Sequence, residues 1–516
     1  MLFYRVVLLA VGVSTLCSPA TAADFTPVRQ FPSSWGTIQV FVDQLPDGMS
    51  TAQNKFAATH YAGTQKATAG VIDAIRQYNS NFLMLQYRLG TRDSGAQTQI
   101  IHNNTWSSDW ATINAHEDWF VHDGQGNRVY QDYDGTIREY VMDVSGLISG
   151  NTTAGWKEYW TATTLADIAA SHGDGVFADS THLPYNIPVS LQDSHVGAAP
   201  YTNLIDDDEV FYDYAYRQYT AANKYFIPNI GQLITTSDTT TGYYTNVHGA
   251  MVEGFGYRGG TSDWKLQANR TLNLIRNDKI YIAQNDVNGV SDVTGRLWLL
   301  SNFLLLKHEK SFVNICSGSQ LNWWPEYDAP LGEPLSKAVP SSVDGLRDAS
   351  GLYLRRFAGG LVLVNPTGSS LTYTLHDGEV LFVMTPYGGG NIDSNGVMPA
   401  GGLSMARAGA TVLVGSWAGA VLLTPVQGDA NGDGIVNFTD YLALEANYGR
   451  AGRGWAGGDF NQDGQTNFAD YLVLEANYGK TTAVPEVACW TTLLFGALIG
   501  LRRRRSARAL QAKVQA

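Results

Sequence analysis

The sequence predicts an α/β fold: a (β/α)8 barrel over residues 31–335, a small antiparallel β-sandwich over 350–425, a paired helical module over 428–480, and a C-terminal transmembrane segment within 484–505. Three observations lead there. Short apolar runs alternate with helix-compatible stretches through the N-terminal part, the pattern of a parallel sheet. Residues 352–425 then switch to a two-residue alternation of apolar and polar positions around Gly clusters. Finally, residues 429–449 and 459–479 repeat one another at a 30-residue offset. A chain of 516 residues is too long for one ordinary core, so several domains are expected.

The barrel strands are read at Ile38–Leu45, Phe82–Arg88, Glu139–Val144, Gly175–Asp179, Tyr225–Ile230, Ala250–Phe255, Lys279–Gln284 and Phe312–Cys316. Intervening stretches such as Ala52–Tyr78, Trp156–Ala170, Asp207–Asn223, Trp264–Arg276 and Arg296–His308 can hold helices. Eight such units match a (β/α)8 barrel in size. An open α/β sheet is the alternative, because the connection from Gly231 to Gly249 leaves little room for a helix. In the sandwich region, runs such as LYLRRF, LVLVNP and AVLLTP alternate as strands with one buried face do.

Composition narrows the function. Hydrophobic residues make up 44% and charged residues 16%, which excludes a wholly disordered chain. The formal charge of −13 repels phosphate backbones, so no nucleic-acid partner is expected.

Both ends read as addresses. Residues 1–22 carry Arg5, an apolar stretch from Val6 to Val13 and the small-residue site Ala20-Thr21-Ala22, the order of a secretory signal peptide. At the other end, Val484-Pro485-Glu486 precedes an apolar run from Val487 to Leu501 and the cluster Arg502 to Arg505. This resembles a PEP-CTERM sorting signal, with Val487 where the family has Pro. The resemblance implies a secreted or cell-surface protein, a transmembrane span and sorting machinery as a partner; a permanent tail anchor is the alternative. Cys17 and Cys489 fall in these segments, so Cys316 is left without an intramolecular disulfide partner.

In the duplicated segment, oxygen-bearing side chains recur at loop positions 1, 3, 5, 9 and 12: Asp429, Asn431, Asp433, Asn437 and Asp440, then Asp459, Asn461, Asp463, Asn467 and Asp470. Gly434 and Gly464 hold position 6, where an EF-hand loop turns sharply, and Ile435 and Gln465 would offer their carbonyls at position 7. Such spacing suits Ca2+, a hard cation that takes six to eight oxygens, and two ions are expected. With Asp at position 12 and one helix after each loop, the segment resembles a type I dockerin. That resemblance implies a cohesin-type protein partner.

Barrel chemistry sits at strand C-termini, and several of the strands read here end in acids or amides: Asp43, Asp143, Asp179, Glu253, Gln284 and Asp286. A carboxylate that closes an apolar run must point into a polar pocket or be paired. Asp179 and Glu253 form the candidate pair, because glycoside hydrolysis needs two carboxyl groups facing one sugar. Asp is short and suits a nucleophile; Glu reaches further and suits the acid/base. Asp143, Gln284, Asp286 and Trp119 are candidates for binding sugar hydroxyls and rings. His60 and His182 lack a second ligand at metal spacing, so no metal is expected in the barrel.

WFVHDGQGNRVY (119–130), EYVMDVS (139–145), GWKEYW (155–160), GVFADS (175–180) and GAMVEGFG (249–256) resemble glycoside hydrolases built on a (β/α)8 barrel, and RRFAGGLVLVNPT (355–367) resembles the β-rich domain after it. The resemblance implies a carbohydrate substrate. By strand position Asp179 and Glu253 match the nucleophile and acid/base of glycosidases that place them after strands 4 and 6, which implies a retaining mechanism. The rival reading is a non-catalytic, glycan-binding surface protein displayed through its calcium module and tail.

Overall fold

The computed structural model describes residues 25–480, apart from 98–99, 123–124, 134–136, 147–148, 182–203, 231–244, 319–320 and 378. The signal peptide, the sorting tail, Cys17, Cys489 and His182 therefore lie outside the described residues. Among those described, no helix is long and apolar enough to cross a membrane.

Eight parallel strands form the barrel: β1 Val40–Gln44, β2 Tyr61–Lys66, β3 Leu83–Leu89, β4 Gly175–Asp179, β5 Tyr225–Pro228, β6 Gly249–Glu253, β7 Ile280–Asp286 and β8 Ser311–Cys316. Each neighbours the next, and β8 pairs back onto β1 at Val40–Val313. The ring closes between β5 and β6 through His248 N to Phe226 O at 3.0 Å and Ile230 N to Met251 O at 2.9 Å. Phe41, Ala62, Leu83, Leu85, Phe177, Tyr225, Ile227, Met251, Ile280, Ile282 and Phe312 form one buried cluster drawn from all eight strands. That cluster is the lumen, and Phe25 and Phe31 pack against it from the N-terminal segment. Strand side chains alternate faces. Two residues beyond this apolar layer, the same inward face therefore carries Asp43, Tyr87, Asp179, Asn229, Glu253, Gln284 and Asn314.

Among the described residues, the longer helices outside the barrel are α1 Thr51–His60, α2 Ala69–Arg76, α3 Trp156–Ala170, α4 Leu204–Ala221, α5 Thr261–Arg276 and α6 Val293–Leu306. Ser50 caps α1 through a capping box with Gln53. Two of the expected elements change place. The stretch Ala52–Tyr78 holds helices, but between them lies β2, whose YAGTQK carries no apolar run. The strand read at Glu139–Val144 is no barrel strand: Ile137–Val141 pairs antiparallel with Tyr130–Tyr133 and Arg92–Asp93 in the excursion between β3 and β4. The two displacements offset one another in the count, so Asp179 and Glu253 still end the fourth and sixth strands.

After the barrel, β9 Tyr353–Phe357, β10 Gly360–Asn365, β11 Phe382–Gly388, β12 Gly401–Arg407 and β13 Ala418–Leu423 form a five-stranded antiparallel sheet. The two-stranded sheet of Leu371–Thr374 and Thr411–Val414 faces it over a core that includes Leu361, Leu363, Tyr373, Val412 and Leu422. The seam with the barrel holds a fully buried ion pair, Arg296 to Glu326 at 2.7 Å on both arms. Arg296 also donates to Val290 O at 2.8 Å and Gly388 O at 3.1 Å, joining the barrel rim to the sandwich.

In the C-terminal repeat, α7 Phe438–Asn447 and α8 Phe468–Asn477 each start from an Asn cap with an Asp at the third helical position, Asn437 with Asp440 and Asn467 with Asp470. Their shared core is Ala430, Val436, Leu444, Trp455, Phe460 and Leu474, completed by Phe382 of β11.

Candidate active site

Asp179 and Glu253 end β4 and β6, and Asn229 directly follows β5 between them. The register follows from the ladder: Asn229 N donates to Ala178 O at 2.7 Å, and Asn229 pairs with Met251 across the closing seam. All three side chains thus share the inward polar layer. The Asn229 amide donates to Asp179 Oδ1 at 2.8 Å and to Glu253 Oε2 at 2.9 Å. The nearest oxygens of the two carboxyl groups can lie no further apart than these bonds placed end to end.

Asp179 is held from other sides as well. Tyr87 Oη donates to its Oδ2 at 3.1 Å, and Ser180 N to its Oδ1 at 2.8 Å. Ser180 has φ +47°, a left-handed conformation that costs energy outside glycine. Thr91 Oγ1 holds the Ser180 carbonyl at 2.7 Å. Beside this group Lys66 pairs with Asp43 at 3.1 Å and lies 4.6 Å from the Tyr87 ring centre.

The charges explain the titration. Glu253 is open to the mouth on one side, yet crowding by protein raises its carboxyl above the ordinary range. The Asp179 and Asp43 charges add to that rise; the Asn229 amide and Lys66 oppose it. Burial, and then Asp179, Glu139 and Asp43, push the Tyr87 phenol well above its usual range, so it stays a donor.

The other candidates separate. Gln284 is buried, and its Oε1 accepts from Gln65 at 2.9 Å and Asn314 at 3.0 Å, so it braces the lumen next to the pair. Asp286 stands exposed at the end of β7. Asp143 is not at the barrel mouth as a free acid. It is buried in the excursion, and its oxygens accept from Gly146 N at 2.9 Å and Ser149 N at 2.7 Å. Trp119 is no open platform either: it is buried, stacked on His116 at 4.0 Å and bonded to Ala154 O at 3.2 Å. Sequence reasoning missed Asn229, Tyr87 and Lys66. Asn229 and Tyr87 were reachable through the two-residue period, while Lys66 lies on the strand that had no apolar signal.

Cys316 is buried beneath the mouth, with Asn314 Nδ2 3.1 Å from its sulfur, and burial pushes the thiol up. Among the described residues no three His, Cys, Asp or Glu side chains form a metal-binding group.

The repeat loops gather oxygens of mixed kind. Asp440 accepts from Ala430 N at 2.8 Å and Asn437 N at 2.8 Å, and Asp470 does the same with Phe460 N at 2.8 Å and Asn467 N at 2.9 Å. Gly434 and Gly464 take φ +82° and +85° at the turn, where a side chain would be strained. Burial, with Asp440 and Asp433 nearby, pushes Asp429 up to about 6. Among the described residues, Asp459 Oδ1 is buried with no hydrogen-bond partner, and a cation would satisfy such an oxygen.

A family model described as hypothetical glycosyl hydrolase family 15 matches residues 76–361, and the dockerin type I domain matches residues 427–478. No curated protein matches the chain. Among solved structures, a type II cohesin–dockerin domain from Bacteroides cellolosolvens is 34% identical over 13% of this chain and 97% of its own, with a TM-score of 0.11. An endoxylanase from Clostridium papyrosolvens C71 is 10% identical over 76% of this chain and 97% of its own, at 0.34. A type I pullulanase from Bacillus subtilis complexed with maltose is 9% identical over 69% and 55%, at 0.32.

Proposed function

This chain belongs to hypothetical glycosyl hydrolase family 15, whose model takes in more than half of its length, and from that premise we propose that it is a secreted enzyme cleaving a poly- or oligosaccharide with retention. The observation that carries the proposal is the shared amide: Asn229 joins Asp179 and Glu253 through bonds of 2.8 and 2.9 Å. Retaining glycosidases keep their carboxyl groups about 5–5.5 Å apart, inverting ones about 6.5–9.5 Å. Two hydrogen bonds to one nitrogen keep the nearest oxygens closer than the inverting range, which supports retention.

In this reading Asp179 attacks the anomeric carbon while Glu253 gives its proton to the leaving oxygen, so the glycosidic bond breaks as the glycosyl–Asp179 ester forms. Glu253 then takes a proton from water, whose oxygen attacks the same carbon and frees Asp179. A carboxyl raised above its ordinary range suits the first step, since it holds a proton nearer neutrality. Asp286 is assigned to sugar hydroxyls, and Gln284 braces the layer beside the pair.

We further propose that the two loops hold Ca2+ through Asp429, Asn431, Asp433, Ile435 O, Asn437 and Asp440, and through Asp459, Asn461, Asp463, Gln465 O, Asn467 and Asp470. The ions would stiffen the repeat. A cohesin-type partner would take the exposed apolar residues that recur in both copies, Phe438 with Phe468 and Leu442 with Leu472. Export by the signal peptide and membrane sorting by the tail complete the proposal.

The test is a screen of polysaccharides for released reducing ends, then proton NMR of the first product anomer. Retention with wild type, and a loss of roughly a hundredfold or more in Asp179→Asn and Glu253→Gln, is expected. Unchanged hydrolysis by either variant would refute the assignment.

A further inference from the structure

A second site lies at the opposite end of the barrel. A cavity of about 420 Å³ opens where α5 and α6 end, between them and the segment leading to the sandwich. Leu272, Ile275, Leu305 and Leu346 give it an apolar wall. The outer wall is tied down: Arg276 Nη1 donates to Pro340 O and Ser341 O at 3.0 Å each, and Val343 N to Asn269 Oδ1 at 2.7 Å. Its size and its place between two domains are those of small-molecule sites.

The charges lining it are of one sign. Lys307, Arg355 and Arg356 contribute, and no acidic residue does. Arg356 is accounted for by Glu379 at 2.6 Å. Among the described residues, the other two bond only to carbonyl oxygens. Lys307, 1% exposed, donates to Trp35 O at 3.0 Å. Arg355 donates to Leu305 O and Ser336 O at 3.3 Å and to Lys307 O. The carbonyls that end α6 explain why a cation sits there, but they are partial charges, not a counter-ion. Glu333, the acid nearest in influence, is engaged by Lys337 at 2.7 Å. Burial and the Arg355 charge push Lys307 down to about 7, with Glu333 opposing. A buried guanidinium and a lysine amine that a bound anion would keep protonated, beside an apolar hollow, are the complement of an amphiphilic anion.

We propose that this cavity binds a carboxylate with a short aliphatic tail, the tail among the leucines and the carboxylate at Lys307 and Arg355. The site is independent of the glycosidase reading, and its readout is binding, not hydrolysis.

Octanoate is titrated into the full chain by calorimetry, with octan-1-ol and octylamine as neutral and cationic probes of the same tail. Octanoate should bind at least about tenfold more tightly than the alcohol, and the amine not at all. Lys307→Met should bring octanoate down to the level of the alcohol. Ala338→Trp, on the cavity wall, should abolish binding of both, and it keeps the proposal testable if Lys307→Met does not fold. No heat from octanoate at millimolar concentration, or equal affinity for octanoate and octanol, would overturn it.

Discussion

Tyr87 reaches across from β3 to place its hydroxyl 3.1 Å from Asp179 Oδ2 on β4. Burial keeps the phenol protonated, so the bond runs one way, from Tyr87 to the carboxylate. Asp179 is therefore oriented by three donors from three places in the chain: Tyr87, Ser180 N and Asn229.

Removing the Tyr87 hydroxyl should leave the fold intact and misorient Asp179 Oδ2, the attacking oxygen of the proposed mechanism. Tyr87→Phe is expected to lower kcat/KM by about ten- to a hundredfold, the worth of one hydrogen bond to a charged group. Initial rates on a cleaved oligosaccharide, with a thermal melt as control, measure it.

Asn229→Ala takes away a hydrogen bond that favours the charged form of Glu253. The carboxyl should then rise further, and the alkaline limb of the kcat/KM profile should move to higher pH while the maximum rate falls. A limb that stays put or moves down would show that the amide does not set this titration.

Glu253 also predicts a pH-dependent stability. A carboxyl raised in the folded state binds its proton more tightly there than in the unfolded chain. Its contribution is fully present below the unfolded value and is lost as pH rises through the folded one. Glu253→Gln should thus melt higher than wild type at neutral pH, by at most about 2 °C, with the gap closing on acidification. Paired thermal melts between pH 4 and pH 8 would reveal a constant gap if this is mistaken.

The Arg296–Glu326 pair has no exposed surface on either side chain. Glu326→Gln strands a buried guanidinium and should cost about 3–5 kcal/mol in denaturant unfolding. Since Arg296 also holds Val290 O and Gly388 O, proteolysis should open the seam between barrel and sandwich first.

Chelation should release the repeat. EGTA is expected to expose residues 429–480 to limited proteolysis, and added Ca2+ to protect them again, while Asp440→Ala with Asp470→Ala should be cut with or without Ca2+. Equal cutting of wild type in both conditions would dismiss calcium as the stiffening agent.

The barrel was legible where an apolar run ended in an acid, as in GVFAD and GAMVE, because inward packing and a polar mouth leave a two-part signature on each strand. It was illegible at β2. There the inward positions are Ala62, Thr64 and Lys66, and Gly63 lies so close to Leu83 and Phe41 that no side chain fits. Nothing in YAGTQK reads as a strand until its neighbours supply the burial. The reverse held at 139–144, where apolar alternation reflects an antiparallel excursion whose buried face is local. Asp143 and Trp119 show the same limit: type and position suggested a mouth, but hydrogen bonds within the excursion had already claimed them. The repeat was legible throughout, since its loop spacing is fixed by local geometry.

Phe382 belongs to the sandwich by sequence and to the helical repeat by packing, and a side chain at Gly432 would collide with its ring. The repeat consequently has a mechanical bearing instead of a free swivel. A pull exerted on α7 and α8 would be transmitted as torque into β11, and through the Gly388–Arg296 bond toward the barrel rim. Whatever grips the far end would also set the heading of the mouth.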